Sequence, residues 1–496
     1  MRDLCDMSSR QEALALFGFP GLTDLATVLP AFHDEQGYPD LLLFATLSCA
    51  RIWRSQNAAL ITIREDGLWP ELVREYSRVT SNPGPFPLIP PSAQHLDKFL
   101  ARIGKDESRL LDLRTRFTQS AIQFARVLGH FDPTIKPDWT NVDRRHLIIG
   151  DGSYVPPFSK VRETWDGEHE RMVVFGSKAK RKARIQRVQT DSSADDKQAS
   201  GINHVTICTP TEYGWIALAT EHALRAEIRT ATPMIQRIVE LADGGIHTVV
   251  WDGAYSGVSK EVIMARLGLL TVTKPVKRSN RQQREKLGAP MDATKAIAMF
   301  RRDEYLPLGT SVYATSDGHE MIPTLAHRYG ALPAIPCSHD LWVDGDAFVD
   351  VAQEPNGKLL KIADVSAIRA VRYQRASGDY GAEIEWCVPC ADGDHTFTTR
   401  SEPRRDEAQA SRPASAGHAV VNASPISRTN TEKFRAGFGF RNWTESFNSW
   451  LKSRLGNNAG KARAMRLQQE HQAVDHISAA LVANSNCYWR FQKATR

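Results

Sequence analysis

LIIGDGSY (147–154) and TVVWDGAY (248–255) are the two stretches whose reading decides the fold. In each, an apolar run leads into an aspartate, then a glycine, a small residue and a tyrosine: Asp151 to Tyr154, and Asp252 to Tyr255. A short apolar run bounded by turn formers reads as a buried strand. A carboxylate at the end of such a strand is costly unless hydrogen-bonded or metal-bound. The glycine behind it lets the backbone turn and a ligand come close. An aspartate that merely caps a turn reads the same way at a single site; a second, nearly identical site weighs against that reading.

Around these stretches the text alternates. RMVVFG (171–176), HVTICTP (204–210) and GWIALAT (214–220) read as short strands, PMIQRIVELADGG (233–245) as an amphipathic helix stopped by glycine, EVIMARLG (261–268) as a helix and LLTVTKPV (269–276) as extended chain. Strand hairpins followed by strand–helix–strand predict an α/β sheet domain. Upstream, PDLLLFATLSCARIWR and the stretch from Ser92 to Gly129 carry apolar residues at helical spacing, with Ser92 as N-cap after the breaker run NPGPFPLIPP. Downstream, SVYAT, AFVDVAQ, AIRAVRYQ and EIEWCVPC read as strands, 398–433 is poor in large apolar residues and reads as a flexible loop, and helical text resumes at about 440.

A chain of 496 residues with 42% hydrophobic and 24% charged residues is a globular protein of several domains. No apolar run reaches the roughly 18 residues needed to cross a bilayer, and the first twenty residues, with Asp3, Asp6 and Glu12, do not read as an export signal. Seven scattered cysteines predict reduced thiols and a cytoplasmic setting. The net charge of +6 is unevenly placed: residues 171–187 hold seven cations and no acid, among them Lys178, Lys180, Arg181, Lys182 and Arg184; 274–286 hold six against one glutamate; 452–466 hold five and no acid. One such run is an ordinary solvated face. Three point to nucleic acid as the partner.

FGFRNWTESFNSWLKSR (438–454) sets one carboxylate, Glu445, among rings and cations. At about 100° per residue, Arg441, Glu445 and Lys452 share one helical face. Phe440, Trp443, Phe447, Trp450 and Leu451 fall opposite, as a packing stripe. Taken alone, this is equally a core-facing helix with an Arg–Glu pair. GFGFRN lacks the third glycine of a dinucleotide loop, and GNNAGKAR is one residue short of a P-loop and has Ala462 where a hydroxyl is needed. No HExxH and no G-x-S-x-G occurs.

The spacing Phe438-x2-Arg441-x3-Glu445-x6-Lys452 resembles the Y-x2-R-x3-E-x6-K signature of DDE transposases of bacterial insertion sequences, the IS4-like family. WDGAY resembles that family's second-aspartate motif and DGSY its first; Phe438 departs from the usual tyrosine. The resemblance spans about 145 to 496 and implies an RNase H-like mixed sheet flanked by helices, interrupted by a β-rich insertion and preceded by an all-α domain. With it the chain divides into a helical domain that matches no motif of the family and is expected to bind DNA at element ends (1–131), the first part of the catalytic core (140–289), the insertion (290–397), the loop (398–433) and the C-terminal helices of the core (434–496). The resemblance further implies that Asp151, Asp252 and Glu445 are catalytic and bind two Mg²⁺ or Mn²⁺ ions, hard cations that take carboxylate oxygen. Arg441 and Lys452 would hold phosphates, Tyr255 would contact DNA or cover the site, and the cations from Lys178 to Arg184 would bind DNA. The implied partners are double-stranded DNA, as terminal inverted repeats and target, and a second copy of the chain in a synaptic homodimer. An RNase H-like nuclease without strand transfer, and an inactive transposase-derived DNA-binding protein, share these features. Separately, Cys387 and Cys390, with Cys337 and His339 upstream, have the composition of a Cys3His zinc site, although ordinary thiols read the same way.

Overall fold

The fold was analysed in a computed structural model that describes residues 7–30, 37–82, 84–155, 172–173, 182–183, 186–189, 198–223, 227–252, 258–273, 313–314, 320–323, 340–344, 347–353, 359–390, 393–401, 431–455 and 469–496. Seven helices come first: α1 (Ser9–Phe17), α2 (Gly21–Leu25), α3 (Asp40–Ile52), α4 (Gln56–Glu65), α5 (Trp69–Thr80), α6 (Ala93–Lys105) and α7 (Glu107–Val127). Ser8 starts α1 with a capping box, its hydroxyl accepting from the Gln11 amide at 3.3 Å while Gln11 Oε1 accepts from the Ser8 amide at 2.9 Å. The long helical text after Ser92 is two helices. Asp106 breaks it, because its carboxylate accepts from the Ser108 and Arg109 amides, both at 3.1 Å, and so caps a new helix.

The strands β1 (Leu147–Val155), β2 (Met172–Val173), β3 (Lys182–Ala183), β4 (Gln186–Gln189), β5 (Gln198–Thr211) and β6 (Gly214–Ala223) follow, then α8 (Glu227–Ala242), β7 (Thr248–Trp251), α9 (Val258–Leu267) and β8 (Leu270–Thr273). Next come β9 (Tyr313–Ala314), β10 (Glu320–Pro323), β11 (Asp340–Asp344), β12 (Ala347–Gln353), β13 (Leu359–Gln374), β14 (Tyr380–Val388) and β15 (His395–Ser401), and last α10 (Thr431–Gly439), α11 (Arg441–Leu455) and α12 (Gln469–Thr495). α8 begins upstream of the expected Pro233, which lies inside it. Burial of Ala231, Met234, Ile235 and Ile238 on one face outweighs the lost backbone bond. Helical text also resumes earlier than about 440, since α10 occupies the end of the stretch read as loop.

The chain divides into two compact bodies, one of Met1–Asp132, Ile148–Gly244 and Asn442–Arg496, the other of Pro133–Leu147 and Gly245–Arg441. In the first, β1 pairs antiparallel with β5, and β5 with β4 and β6. Helices α7 and α8 pack on these strands, as does α12, which also touches α1, α3 and α6. α3 is buried on every side, from Asp40 through Ile52, as its near-continuous apolar sequence requires. In the second body, β7 and β8 pair in parallel across α9, a strand–helix–strand unit, and α10 packs against them. There β9 to β15 form an antiparallel meander in which each strand lies beside its neighbours in sequence. The class is thus mixed α/β, with antiparallel and parallel strand pairs flanked by helices. No helix among the described residues is long and apolar enough to cross a membrane.

One ion pair joins distant parts of the first body. Arg454 of α11 donates to both oxygens of Glu12 in α1, each at 2.8 Å, and to the carbonyl of Ile52 at the end of α3, at 3.1 Å. Its side chain is 13% exposed and that of Glu12 9%, so each charge depends on the other. Removing one partner of such a pair costs more than the pair is worth. Glu12→Ala is expected to destabilise this body by roughly 3 kcal/mol, and Glu12→Gln, which keeps an acceptor, by less; denaturant-unfolding midpoints measure both.

Candidate active site

Asp151 lies inside β1, not at its end. The ladder runs through it, pairing Asp151 with Thr206, Gly152 with Val205 and Ser153 with His204. Because side chains alternate across a strand, Asp151 and Ser153 share one face with their partners Thr206 and His204. The next strand continues that face with Thr220 opposite Thr206 and His222 opposite His204. Gly152 points the other way, toward α8. A Cβ there would collide with the carboxylate of Glu227 in the first turn of that helix. That carboxylate is the end of a flexible side chain, so a small shift of Glu227 would also relieve the contact.

α11 supplies the cover over Asp151. Asn448 is 4% exposed and donates from Nδ2 to Asp151 Oδ2 at 2.9 Å. Lys452, one turn on, is half-buried and feels the same carboxylate: burial lowers its pKa, and the charge of Asp151 opposes that shift. Thr444, one turn before Asn448, lies by the Cys208 thiol, which burial pushes up to about 12.

The inward face of α11 is Thr444, Phe447, Asn448, Leu451 and Leu455. The expected aromatic stripe is thus only partly right: Phe447 and Leu451 are buried, whereas Phe440, Trp443 and Trp450 are half-exposed. Phe447 packs on Trp215 with ring centroids 5.6 Å apart, and Trp450 lies outside it, stacked at 6.0 Å. The helix is rotated from the aromatic axis toward Asn448, which donates to the half-buried Asp151 carboxylate. Glu445, one turn before Asn448, lies on the exposed side.

The other expected residues fall elsewhere. Asp252, in the second body, follows the last residue of β7, so here the strand does end at the aspartate. Its carbonyl accepts from the hydroxyl of Thr273, the last residue of β8. Arg441 begins α11 with its guanidinium 5.9 Å from the ring centroid of Phe438, which itself stacks on Phe434 at 5.1 Å. The apolar ring at Phe438 thus seats the arginine without needing a hydroxyl. Tyr255, Lys178, Lys180, Arg181, Arg184, Cys337 and His339 lie outside the described residues, and Lys182 is described only as backbone of β3. Cys387 ends near Asp394, whose Oδ2 accepts from its thiol at 3.6 Å, and the Cys390 amide donates to the same carboxylate at 3.4 Å. That is a carboxylate-closed turn after β14.

Among the described residues, no group of three or more His, Cys, Asp or Glu is arranged to hold a metal ion. Asp151, Asp252 and Glu445 have the hard oxygen donors that Mg²⁺ takes and fit such an ion by donor type. No protein-family model, curated protein or solved structure matches the chain.

Asn448 was missed in the sequence although it lies on the expected helix. Its signal was an amide at the turn between Glu445 and Lys452, on the face those two residues share. Asn448→Ala leaves the Asp151 carboxylate without this donor and is expected to cost about 1–3 kcal/mol. Asn448→Asp, which places a second carboxylate against the first, is expected to cost more. Thermal and urea unfolding of both variants check the order.

Proposed function

We propose that the chain is a DNA transposase of the DDE type, acting on the ends of an insertion element by metal-dependent phosphodiester cleavage and strand transfer. The observation that carries this reading is the hydrogen bond between Asn448 and Asp151, 2.9 Å long across 297 residues of sequence. It sets the helix bearing Glu445 and Lys452 beside the strand bearing Asp151, the pairing that the family resemblance implies. Two bound divalent ions, held by Asp151, Asp252 and Glu445, would activate the attacking oxygen and stabilise the leaving one.

The chain's own residues have separate tasks in this reading. Asn448 fixes the carboxylate of Asp151 by donating to Oδ2. Lys452 supplies a positive charge at the same carboxylate, placed to meet a phosphate oxygen when DNA enters. Arg441, a planar donor held by the Phe438 ring, suits bidentate contact with a second phosphate. The basic stretches elsewhere in the chain would add salt-dependent affinity that carries no sequence information. A homodimer would bring two element ends together.

The test is cleavage and joining of DNA carrying the element's terminal repeats, in the presence of Mg²⁺. Asp151→Ala, Asp252→Ala and Glu445→Ala are each expected to lower cleavage by at least about a thousandfold, the scale on which loss of preorganised electrostatic groups acts. Lys452→Ala is expected to weaken DNA binding and flatten its salt dependence. Normal cutting by the three carboxylate variants would sink the assignment. Cleavage without joining would select the nuclease reading.

A further inference from the structure

Three histidines are buried together in the first body and have no part in the chemistry proposed above. His204 on β5 is 0% exposed, His222 on β6 9% and His476 on α12 3%. His204 and His222 are direct cross-strand neighbours. The ring of His476 lies 4.3 Å from that of His204 and 4.8 Å from that of His222, centroid to centroid. The rings therefore pack on one another. Among the described residues, both ring nitrogens of His204, Nε2 of His222 and Nδ1 of His476 have no hydrogen-bond partner.

The charges acting on the three rings are all positive: Lys452 of α11 on His204, Arg114 of α7 on His222, and Arg51 of α3 with Arg114 on His476. The carboxylates of the elements packed around them are engaged elsewhere. Asp475 on α12 pairs with Arg51 at 3.2 Å, Glu221 on β6 pairs with Arg237 of α8, Glu12 on α1 pairs with Arg454, and Asp151 on β1 accepts from Asn448. A proton added to any ring would place a cation in a buried site with cations around it and no carboxylate released to meet it.

We propose that His204, His222 and His476 form an acid-released latch, which holds α12 on strands β5 and β6 while the rings are neutral and lets go when one is protonated. His204 stands opposite Ser153 on the same strand face as Asp151, so the latch shares a sheet face with the proposed site; the latch itself does not rest on the function proposed above.

Burial comes first among the causes that depress the three pKa values. His204 falls to about 3, and His222 and His476 fall well below the usual imidazole value. The unfolded chain takes up protons near pH 6.5, whereas the folded one refuses them until far lower pH. Stability is thus full above about pH 6.5 and declines as pH falls from there toward about 3. With three groups, the folding equilibrium loses up to about a thousandfold per pH unit in the steep part of that window.

The experiment uses the full chain without DNA. Urea unfolding is measured between pH 7.5 and 5.0 for the wild type, His222→Phe, His476→Phe and His476→Gln. The glutamine variant keeps polarity while removing the titration. Each substitution is expected to cut the pH slope by about one proton, or tenfold per pH unit; carboxylate contributions, common to all four proteins, cancel. In parallel, ¹³C-labelled histidine signals are followed by NMR in the wild type and in the variants, which assign the His222 and His476 rings; these are expected to stay neutral well below pH 6.5, as is His247, which burial lowers to about 4. Unchanged slopes in the variants, or titration of the assigned His222 or His476 ring near pH 6.5, would overturn the latch. If a variant does not fold at pH 7.5, the ring titrations assigned by the others decide. A steep slope in a protein that never cuts DNA would sink the transposase reading and leave the latch standing.

Discussion

A carboxylate in the middle of a buried strand constrains everything placed over it. Asp151 is half-buried and flanked by ladder partners on β5, so a donor on its open side comes from a covering element. α11 meets the need with Asn448, at the cost of leaving Trp443 and Trp450 half-exposed on its outer side. An isolated amphipathic helix with this sequence would seat its rings. The orientation observed is the one that satisfies a hydrogen bond to a charge, an interaction stronger than an ordinary neutral hydrogen bond and expensive to leave unmade.

The same strand face explains why the first body needs parts from both chain ends. Thr206, Thr220, His204 and His222 are polar groups that the pairing of β1, β5 and β6 places in a row, and a row of that kind needs a cover with polar groups of its own. α12 contributes His476 and also Asn484, whose amide exchanges two hydrogen bonds with the backbone of Ala217, 2.7 and 3.0 Å long. Ala217 lies beside the point where the β5–β6 register shifts, so the side chain serves backbone groups at an irregularity of the ladder. α12 is in turn fixed by Arg51 of α3 through Asp475, and α11 is fixed by Glu12 of α1 through Arg454. The N-terminal helices thereby hold both covering helices through charges that are buried and mutually dependent.

Much of this was legible in the residues, for identifiable reasons. The apolar run before Asp151 reads as a strand because nothing else with that length and punctuation buries well, and the period of the text around Glu445 reads as a helix because its apolar residues recur at helical spacing. What could not be read were the interactions that depend on which strand faces lie together. DGSY and WDGAY look alike, yet one continues through a ladder and the other ends a strand, because the partner strand β5 that carries Asp151 onward is specified outside the motif itself. Asn448 is an unremarkable amide until a carboxylate is set against it. The three histidines are scattered over β5, β6 and α12 and become a cluster only through strand register and the seating of a helix; no spacing in the sequence encodes that.

Lys452 joins the two halves of the functional reading. Its ammonium is half-buried beside Asp151, where loss of water disfavours its charge and the carboxylate favours it. A lysine in that position balances the aspartate's charge when no other cation is near. Were a divalent ion held at the carboxylate, as proposed, the charge of Lys452 on its flexible side chain would be available to a phosphate of bound DNA. On this reading the lysine is less a fixed phosphate contact than a counter-charge that becomes available to DNA when the site is filled. Its partial burial is what makes that exchange worth more than it would be on an exposed surface.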